Sequence, residues 1–231
     1  MKIIIDSRMR KKEKEYLSQF GEIIEISPQN IVYDEISGHP DIFFAQINDV
    51  IFKAPNFKIN QLSNYINGEE DVGMEYPQDI KYNICQIGNN IIHNFKYTDK
   101  KILEYIDKNH FRKYQVNQGY SKCNTSVIND KVCITSDYGI YKTLNQSKID
   151  CLYLEEHNIK LLDRKGTETS MKGFIGGASC TINNKFILFG DSNYLNNKEK
   201  LVRFLNKYNI ELIDFVGLSI HDYGGIIRIN T

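Results

Sequence analysis

The chain has 231 residues, of which 41% are hydrophobic and 25% are charged, and this composition predicts a folded core instead of a disordered chain. Its 29 basic residues are balanced by 29 acidic ones, which argues against the positive surface of a nucleic-acid-binding protein. No apolar run approaches the ~18 residues needed to cross a membrane. We therefore predict no nucleic-acid partner, no membrane segment and no export signal.

Two β-rich runs separated by a tight turn recur along the chain. The turns contain Asn48, Asn89, Asn129 and Asn183. Asn and Asp tolerate the positive φ angles of two-residue hairpin loops, so each copy predicts a β-hairpin. A fifth copy is divided between the two ends of the sequence, and residues 227–230 are expected to pair with residues 2–5.

A helix and then a short strand are predicted to follow each pair of strands. Apolar residues at helical spacing indicate helices at residues 10–20, 99–109, 138–148 and 196–208. The matching strands are residues 22–26, 111–116, 151–154 and 211–216. In the weakest copy we expect a helix near residues 59–66 and a strand near residues 72–76. Residues 155–172 are interpreted as an insertion with a longer strand and a loop.

The repeated unit is therefore ββαβ, and five such units predict an α/β fold. Units of this size cannot bury their apolar faces alone and must pack against neighbours. We predict a single domain over residues 1–231, an α/β propeller with pseudo-fivefold symmetry, in which the N- and C-terminal strands pair and close the ring. An open α/β sheet is the alternative, and the hairpin turns argue against it.

The cysteine pattern predicts reduced thiols in the cytoplasm. The five cysteines are widely spaced and include no Cys-x-x-Cys pair, unlike a disulfide framework or a structural zinc site; they are Cys85, Cys123, Cys133, Cys151 and Cys180. The sequence also lacks a His-x-x-x-His spacing and a phosphate-binding loop. We therefore expect no metal and no cofactor.

Five short motifs spread over the whole chain carry a resemblance to a known fold. They are Gly38-His39-Pro40-Asp41, Gly119-Tyr120-Ser121-Lys122-Cys123, Ile134-Thr135-Ser136-Asp137, Gly173-Phe174-Ile175-Gly176-Gly177-Ala178-Ser179 and Asp222-Tyr223-Gly224-Gly225. In these motifs the chain resembles an uncharacterised bacterial family assigned to the pentein fold. That fold is shared by amidinotransferases, arginine deiminases and dimethylarginine dimethylaminohydrolases. The resemblance implies a five-unit ring and a hydrolase or transferase acting on guanidino or amidino compounds.

The resemblance does not supply the catalytic residues. The catalytic pentein families carry a cysteine nucleophile on the last inner strand, after a glycine-rich segment. The matching segment here, residues 224–231, contains no cysteine. The standard catalytic residues of those families are therefore not transferred to this chain.

Candidate site residues emerge when the units are aligned on their turn asparagines, because titratable side chains then gather at one depth, before each hairpin turn. We predict Cys123 as a thiolate nucleophile, His39 or His221 as its base, and Asp41 or Asp222 as the group that orients the base or binds a cationic substrate. Lys122 would favour the thiolate. Backbone N–H groups of the glycines would stabilise an oxyanion or bind a carboxylate. The residues predicted to bind substrate are Lys122, Asn83, Gly176, Gly177 and Ser179.

Structural roles fit the same residues equally well. Cys123 also has the character of a small buried hydrophobe, the histidines of hydrogen-bonded strand-entry residues, and Asp41 of a turn cap. If these residues lie on regular strands, alternation places Cys123 on the opposite face from Asp41 unless a bulge intervenes. Asp137 and Asp191 are predicted to cap helices. His93, His110 and His157 are expected at the surface.

Three functions therefore remain open from the sequence. The first is an enzyme acting on a small polar ligand in the central channel. The second is a ring that binds a small molecule without catalysis, and the third is a protein-binding ring. The sequence does not predict an oligomeric state.

Overall fold

A computed structural model describes residues 1–230 and has a mixed α/β fold. Its strands are short; they are β1 Lys2–Asp6, β2 Glu22–Ile26, β3 Phe44–Ile47, β4 Val50–Lys53, β5 Ile66–Asn67, β6 Cys85–Ile87, β7 Asn90–His93, β8 Arg112–Gln115, β9 Thr125–Asn129, β10 Val132–Thr135, β11 Asp150–Tyr153, β12 Ile159–Leu162, β13 Glu168–Lys172, β14 Ser179–Ile182, β15 Lys185–Leu188, β16 Glu211–Ile213, β17 Ile220–His221 and β18 Ile227–Ile229. The short strands form several small sheets instead of one long sheet.

The helices connect these sheets and are also short. They are α1 Lys11–Leu17, α2 Pro40–Phe43, α3 Lys100–Lys108, α4 Ser121–Asn124, α5 Tyr138–Asn145 and α6 Lys198–Lys207, with 3₁₀ turns at Asp34–Ile36, Phe95–Tyr97 and Ser192–Tyr194. Within residues 1–230, none of the helices has the length and hydropathy required to cross a membrane.

In all six sheets a central strand pairs antiparallel with one neighbour and parallel with the other, and five of these sheets correspond to the repeated units. Their strand orders are β18-β1-β2, β3-β4-β5, β6-β7-β8, β9-β10-β11 and β14-β15-β16. In the first sheet Lys2 pairs with Ile229 and Ile4 pairs with Ile227. The predicted pairing between the two ends of the sequence is thus confirmed.

Three of the four hairpin turns contain a residue with the predicted positive φ, and the turn at Asn129 does not. Asn48 has a φ of 52°, Gly88 of 54°, Asn183 of 48° and Asn184 of 59°. These positive values are those required in tight hairpin loops, which Asn and Gly adopt at low cost. The four predicted hairpins are all present.

The four helices predicted with a clear apolar stripe are confirmed as α1, α3, α5 and α6. The predicted caps also form, since Asp137 accepts from the N–H of Ile140 at the start of α5 and Asp191 accepts from that of Asn193 at a 3₁₀ turn. Side-chain acceptors at this position satisfy N–H groups that have no partner inside the helix. The short strands that follow these helices begin and end within a few residues of their predicted limits.

The prediction for the weakest copy was wrong. Residues 59–66 contain no helix, and the third strand of that sheet is the two-residue β5, not a strand near residues 72–76. Side chains bind backbone groups in and beside this segment. Asp99 accepts hydrogen bonds from the N–H groups of Glu69 and Glu70. The Asn56 side chain donates to the carbonyl of Val72 and accepts from its N–H. Such local bonds favour an irregular loop over a regular element.

The insertion forms a sixth small sheet. β12 pairs antiparallel with β13 and parallel with β17, so residues 155–172 contribute a hairpin and not a single longer strand. The pairing of Lys160 with His221 fixes the chain immediately before Asp222. The insertion therefore helps to position one of the candidate site residues.

Candidate active site

Three of the candidate residues lie on two isolated helical turns, where strands had been predicted. His39 occupies the N-cap position of α2, and Pro40 and Asp41 lie in the first turn of that helix. Cys123 lies in α4. Pro is favoured at this position because its φ suits a helix and its missing N–H needs no partner. Each turn runs directly into the first strand of a hairpin, β3 or β9. Strand alternation therefore does not apply, and Asp41 and Cys123 face each other.

The Cys123 thiol is the centre of the site. Its Sγ donates to Asp41 Oδ2 at 2.8 Å and accepts from Asn83 Nδ2 at 3.1 Å. Asn83 Oδ1 in turn accepts from the N–H groups of Lys122 and Cys123 at 2.9 and 3.2 Å. All the polar atoms of the Asn83 side chain thus hold the Cys123 turn in place, which is a positioning role.

Asp222 brings a second carboxylate to the cluster. Its Oδ2 accepts from the N–H of Phe174 at 2.8 Å and its Oδ1 from that of Gly224 at 2.9 Å. Asp222 Oδ1 also lies 3.7 Å from His39 Nδ1. The site is therefore assembled from segments that are far apart in the sequence.

Three buried polar atoms in this cluster have no hydrogen-bond partner among the described residues. They are both ring nitrogens of His39 and Oδ1 of Asp41. The two side chains are each only 1% exposed. Buried polar groups nearly always have partners, so unpaired atoms at one place indicate room for a bound group.

Two glycines allow the backbone to approach the cluster. A Cβ at Gly224, where φ is +70°, would lie 2.5 Å from His39 Cβ and 2.8 Å from Asp41 Oδ1. A Cβ at Gly177 would lie 1.8 Å from Asp222 Oδ1. The N–H of Gly177 donates to the carbonyl of Cys123 at 3.0 Å, so this N–H is not a free donor for an oxyanion.

Burial sets the protonation of the cluster. It raises the pKa of Asp41 to about 6, and burial together with the charge of Asp41 raises the pKa of Asp222 to about 7. Burial and the two neighbouring carboxylates raise the pKa of the Cys123 thiol well above its ordinary value. Burial lowers the pKa of His39 well below its ordinary value. The resting site at neutral pH thus contains a protonated thiol and a neutral imidazole.

Lys122 lies next to the cluster and also lines a cavity. The cavity has a volume of about 620 Å³ and is bordered by the hairpin turns, by Arg228 and by Ser179. Ser179 Oγ is hydrogen-bonded to Ser126 Oγ and to the carbonyl of Ile175 at 2.8 and 2.6 Å. The positive charge of Lys122 lowers the pKa of Asp41, but burial has the larger effect and the pKa remains raised. Gly176 packs against the Lys122 backbone, since a Cβ at position 176 would be 2.3 Å from the Lys122 carbonyl oxygen.

His221 belongs to a different network from the other candidates. Its Nε2 lies 2.8 Å from Glu168 Oε1 and its Nδ1 lies 3.1 Å from the hydroxyl of Tyr223. The Tyr223 hydroxyl donates to Glu13 Oε2 at 3.1 Å. His221 is therefore engaged by other groups, although it directly precedes Asp222. Four of the five predicted catalytic residues meet in one cluster, and the His221 ring is hydrogen-bonded to Glu168 and Tyr223 instead.

An aromatic group that was not among the predicted site residues lies beside the cluster. The hydroxyl of Tyr33 lies 3.4 Å from that of Tyr120, which is itself hydrogen-bonded to Asp79. The ring of Tyr120 stacks with that of Phe174, the residue whose N–H binds Asp222. Asp79 lies in a loop outside the repeated elements, so the alignment of turns gives no signal for it.

His93 also differs from its predicted surface position. It is fully buried, with Nδ1 at 2.6 Å from Thr98 Oγ1 and Nε2 at 3.0 Å from the carbonyl of Gly119. Gly119 precedes the turn that carries Cys123. His93 is therefore a structural support of that turn.

Comparison with known proteins gives a family and a fold. The model of a family of unknown function (DUF6873) matches residues 4–227. No curated protein sequence matches the chain. Among solved structures, a dimethylarginine dimethylaminohydrolase in an adduct with S-methyl-L-thiocitrulline is similar, with a TM-score of 0.53, 7% identity, and coverage of 92% of this chain and 91% of that one.

Two further solved structures are similar over nearly the whole chain. Agmatine deiminase from C. jejuni has a TM-score of 0.51 and 11% identity, with coverage of 92% of this chain and 86% of that one. Dimethylarginine dimethylaminohydrolase from Pseudomonas aeruginosa, in complex with citrulline, has a TM-score of 0.51 and 7% identity, with coverage of 92% and 91%. The mixed α/β fold of the pentein enzymes, expected from the sequence motifs, is thus confirmed.

Proposed function

The chain belongs to the DUF6873 family, and on this premise we propose that it is a pentein-like hydrolase or transferase for a small guanidino or amidino compound, with Cys123 as the nucleophile. The observation that carries the proposal is the contact of the Cys123 thiol with Asp41, next to unpaired polar atoms of His39 and Asp41. The similar solved structures support the fold and suggest the substrate class. At 7–11% identity they assign no residue here.

We also interpret the five similar sheets as the blades of a closed pseudo-fivefold propeller. Contacts between consecutive sheets support this arrangement: Gln46 with Arg228, Asn48 with Gln86, β6 with β9, Ser126 with Ser179, and Arg228 with Thr181. In this arrangement the cavity beside Lys122 is the central channel. Lys122 lines this cavity, and His39, Asp41, Cys123 and Asp222 do not, so a small polar ligand would have to pass Lys122 to reach the cluster.

The two carboxylates suit a planar cation. A guanidinium or amidinium group forms paired charge-assisted hydrogen bonds with carboxylates, and Asp41 Oδ1 is available for one of them. The positive charge would also offset the repulsion that now raises the pKa of Asp222 and of the thiol. Substrate binding would therefore promote formation of the thiolate.

The cluster contains the groups needed for a two-step hydrolysis. As Cys123 Sγ forms a bond to the central carbon of the substrate, the thiol proton passes to Asp41. The bond from that carbon to the leaving nitrogen then breaks, and the nitrogen departs as an amine after taking the proton from Asp41. Water, deprotonated by His39, attacks the same carbon, and the C–S bond breaks to regenerate the thiol and release a urea or an amide.

The test is turnover by the metal-free protein. Agmatine, dimethylarginine, and simple alkylguanidines and amidines are incubated with the wild type in the presence of a chelator, and amine release and ureido products are measured. Cys123→Ala is expected to lower the rate by roughly 10³-fold or more. Cys151→Ala is the matched control, because Cys151 is another buried free thiol and lies outside the cluster.

A ring that binds such a cation without catalysis is the second candidate. It is favoured by the burial of Cys123, which is only 2% exposed, and by its raised thiol pKa. It predicts binding of an amidine to the wild type with no product and no covalent adduct by mass spectrometry. Turnover lost in Cys123→Ala would contradict it.

We place this activity in the cytoplasm. All five cysteines are free thiols, although Cys133 and Cys151 are direct neighbours on paired strands. Unpaired thiols are typical of proteins in a reducing compartment.

A further inference from the structure

Three different metal-ligand types meet at the cluster. His39, Asp41 and Cys123 each present one ligand atom, and these atoms lie within 4.8 Å of one another. The three side chains are 1%, 1% and 2% exposed, so they are shielded from water. Exposed acidic groups are common without a bound ion, and this cluster is neither exposed nor purely acidic.

Unpaired atoms distinguish this cluster from an ordinary buried hydrogen-bond network. Both ring nitrogens of His39 and one carboxylate oxygen of Asp41 lack hydrogen-bond partners within residues 1–230. A histidine sealed in the interior normally satisfies at least one ring nitrogen, as His93 does. The unpaired atoms belong to two of the three potential ligands.

The charges of the cluster also favour a bound cation. Two carboxylates, those of Asp41 and Asp222, are buried beside the Cys123 thiol. The guanidinium of Arg8 is already paired with Asp6 at 2.6 Å, and Lys122 is the cation that acts on Asp41. Two buried carboxylates need more positive charge than one lysine supplies. A divalent cation would supply that charge and permit Cys123 to bind as a thiolate.

We propose that His39, Asp41 and Cys123 form a binding site for a zinc ion. One imidazole, one carboxylate and one thiolate match the ligand preferences of Zn²⁺ and not those of Mg²⁺ or Ca²⁺, which favour oxygen ligands. Zn²⁺ bonds of ~2.0–2.3 Å place tetrahedral ligand atoms roughly 3.5 Å apart. The ligand atoms now lie within 4.8 Å of one another, so the widest separation would shorten by about 1 Å, and the 2.8 Å contact of Cys123 Sγ with Asp41 Oδ2 would lengthen.

Asp222 would orient the histidine in this site. Its Oδ1 lies 3.7 Å from His39 Nδ1, and an imidazole that donates to a carboxylate through one nitrogen presents the other to a metal. Asp222 is itself fixed by the N–H groups of Phe174 and Gly224. Three protein ligands leave one tetrahedral position open to water or to another small ligand.

This inference concerns the site of the proposed function but does not depend on its catalysis. A thiolate bound to zinc cannot attack a substrate at the same time, so the metal-bound and nucleophilic forms of Cys123 are alternative states. Zinc would consequently inhibit amidine hydrolysis. Metal binding itself is measured without any substrate.

The experiment uses Co²⁺ and Zn²⁺ alone with the full-length protein. We expect Co²⁺ to bind at a 1:1 ratio with a sulfur-to-cobalt charge-transfer absorption band, and Zn²⁺ to displace it. Cys123→Ser should abolish the band, and His39→Ala should weaken zinc binding at least ~10-fold. Asp222→Asn should weaken binding by about 10-fold while keeping the band, since it removes an orienting group and not a ligand. Cys151→Ser is the matched control and should bind as the wild type does.

The results separate the metal site from the proposed activity. Absence of the charge-transfer band, or equal zinc affinity in wild type, Cys123→Ser and His39→Ala, would overturn the metal site, provided that circular dichroism shows each variant folded. If Cys123→Ser does not fold, Asp41→Asn replaces it, and zinc affinity equal to that of the wild type again overturns the site. Zinc binding without amidine turnover in the chelated protein supports the metal site and refutes the hydrolase. Turnover without zinc binding supports the hydrolase and refutes the metal site.

Discussion

His93 is a single buried side chain that stabilises the segment leading to the Cys123 turn. Its neutral imidazole is bonded to Thr98 and to the carbonyl of Gly119, just before the turn that carries Cys123. A neutral ring satisfies both contacts, because one nitrogen donates to the carbonyl and the other accepts from the hydroxyl. A protonated ring would carry an uncompensated charge in the interior.

We predict that this histidine makes the protein less stable in mild acid. Burial lowers the pKa of His93 to about 4 from its usual 6.5, so its contribution to stability is complete above pH 6.5 and is lost as the pH falls from 6.5 towards 4. The full loss corresponds to roughly 3 kcal/mol in the free energy of unfolding. Urea denaturation at pH 7, 6 and 5 measures this decline.

His93→Gln is the control for that measurement. Its amide can donate to the Gly119 carbonyl but has no proton to gain in this range. We expect the variant to be less stable at pH 7 and to lose less stability than the wild type between pH 7 and 5. An identical pH dependence in both proteins would contradict the role of His93.

At the scale of elements, the four-residue helices α2 and α4 account for the geometry of the site. The sequence predicts the hairpins because Asn and Gly at the turns have a specific conformational signature, and it predicts α3 and α6 because an apolar stripe repeats along each of them. A single helical turn is too short to show a period. Strand alternation, which would separate Asp41 from Cys123 unless a bulge intervened, therefore does not apply to these two turns.

Local signals in the sequence could have predicted only one of these two helical turns. Pro40 after His39 is a signal for the first turn of a helix, but nothing comparable marks Ser121 at the start of α4. The hydrogen bonds of Asn83 to the Cys123 turn join residues 40 positions apart. Contacts of that kind depend on how the elements pack, which one sequence does not reveal.

Gly224 provides a prediction for the segment between β17 and β18. Gly224→Ala adds a Cβ 2.5 Å from His39 Cβ at a φ of +70°, so we expect it to combine backbone strain with displacement of His39. Its free energy of unfolding should fall by about 2–4 kcal/mol. Chemical denaturation measures this change.

Gly166→Ala is the matched control for the Gly224 substitution. Gly166 has a φ of +85°, but no atom lies within 4 Å of an added Cβ. The free energy of unfolding of Gly166→Ala should therefore fall only by the cost of backbone strain, about 1–2 kcal/mol. Equal losses in the two variants would indicate that the approach of Gly224 to His39 and Asp41 does not matter.

At the scale of the whole molecule, the pairing of β1 with β18 joins the two ends of the sequence. Ile3, Ile4 and Ile5 of β1 are completely buried, and β1 lies between β18 and β2. The central strand of this sheet thus depends on partners from residues 22–26 and residues 227–229. Loss of β18 would expose one edge of β1 and its buried neighbours.

We predict that the chain tolerates circular permutation. Joining the present ends through an Asn-Gly linker and opening new ends at Gly166 should give a folded protein, because β1 and β18 already pair and Gly166 lies in an exposed turn. Its melting temperature should lie within about 5–10 °C of the wild type. Circular dichroism and thermal unfolding measure this.

Deletion of residues 227–231 is the contrasting variant. It removes β18 and should abolish cooperative unfolding. A well-folded deletion variant, or an unfolded permutant, would contradict the importance of the β1–β18 pairing. The permutant keeps every helix and strand and changes only the order in which the chain connects them, whereas the deletion removes the β1–β18 pairing. Comparing the two variants therefore separates the effect of strand pairing from that of chain connectivity.

The β1–β18 pairing also has a consequence during translation. β1 is synthesised more than 200 residues before its antiparallel partner β18. At ~5–20 residues per second, β1 waits on the order of ten seconds or more with one hydrogen-bonding edge unpaired and three adjacent isoleucines awaiting their final packing. The nascent chain thus presents an aggregation-prone strand until β18 is synthesised, and β18 is the strand that protects β1.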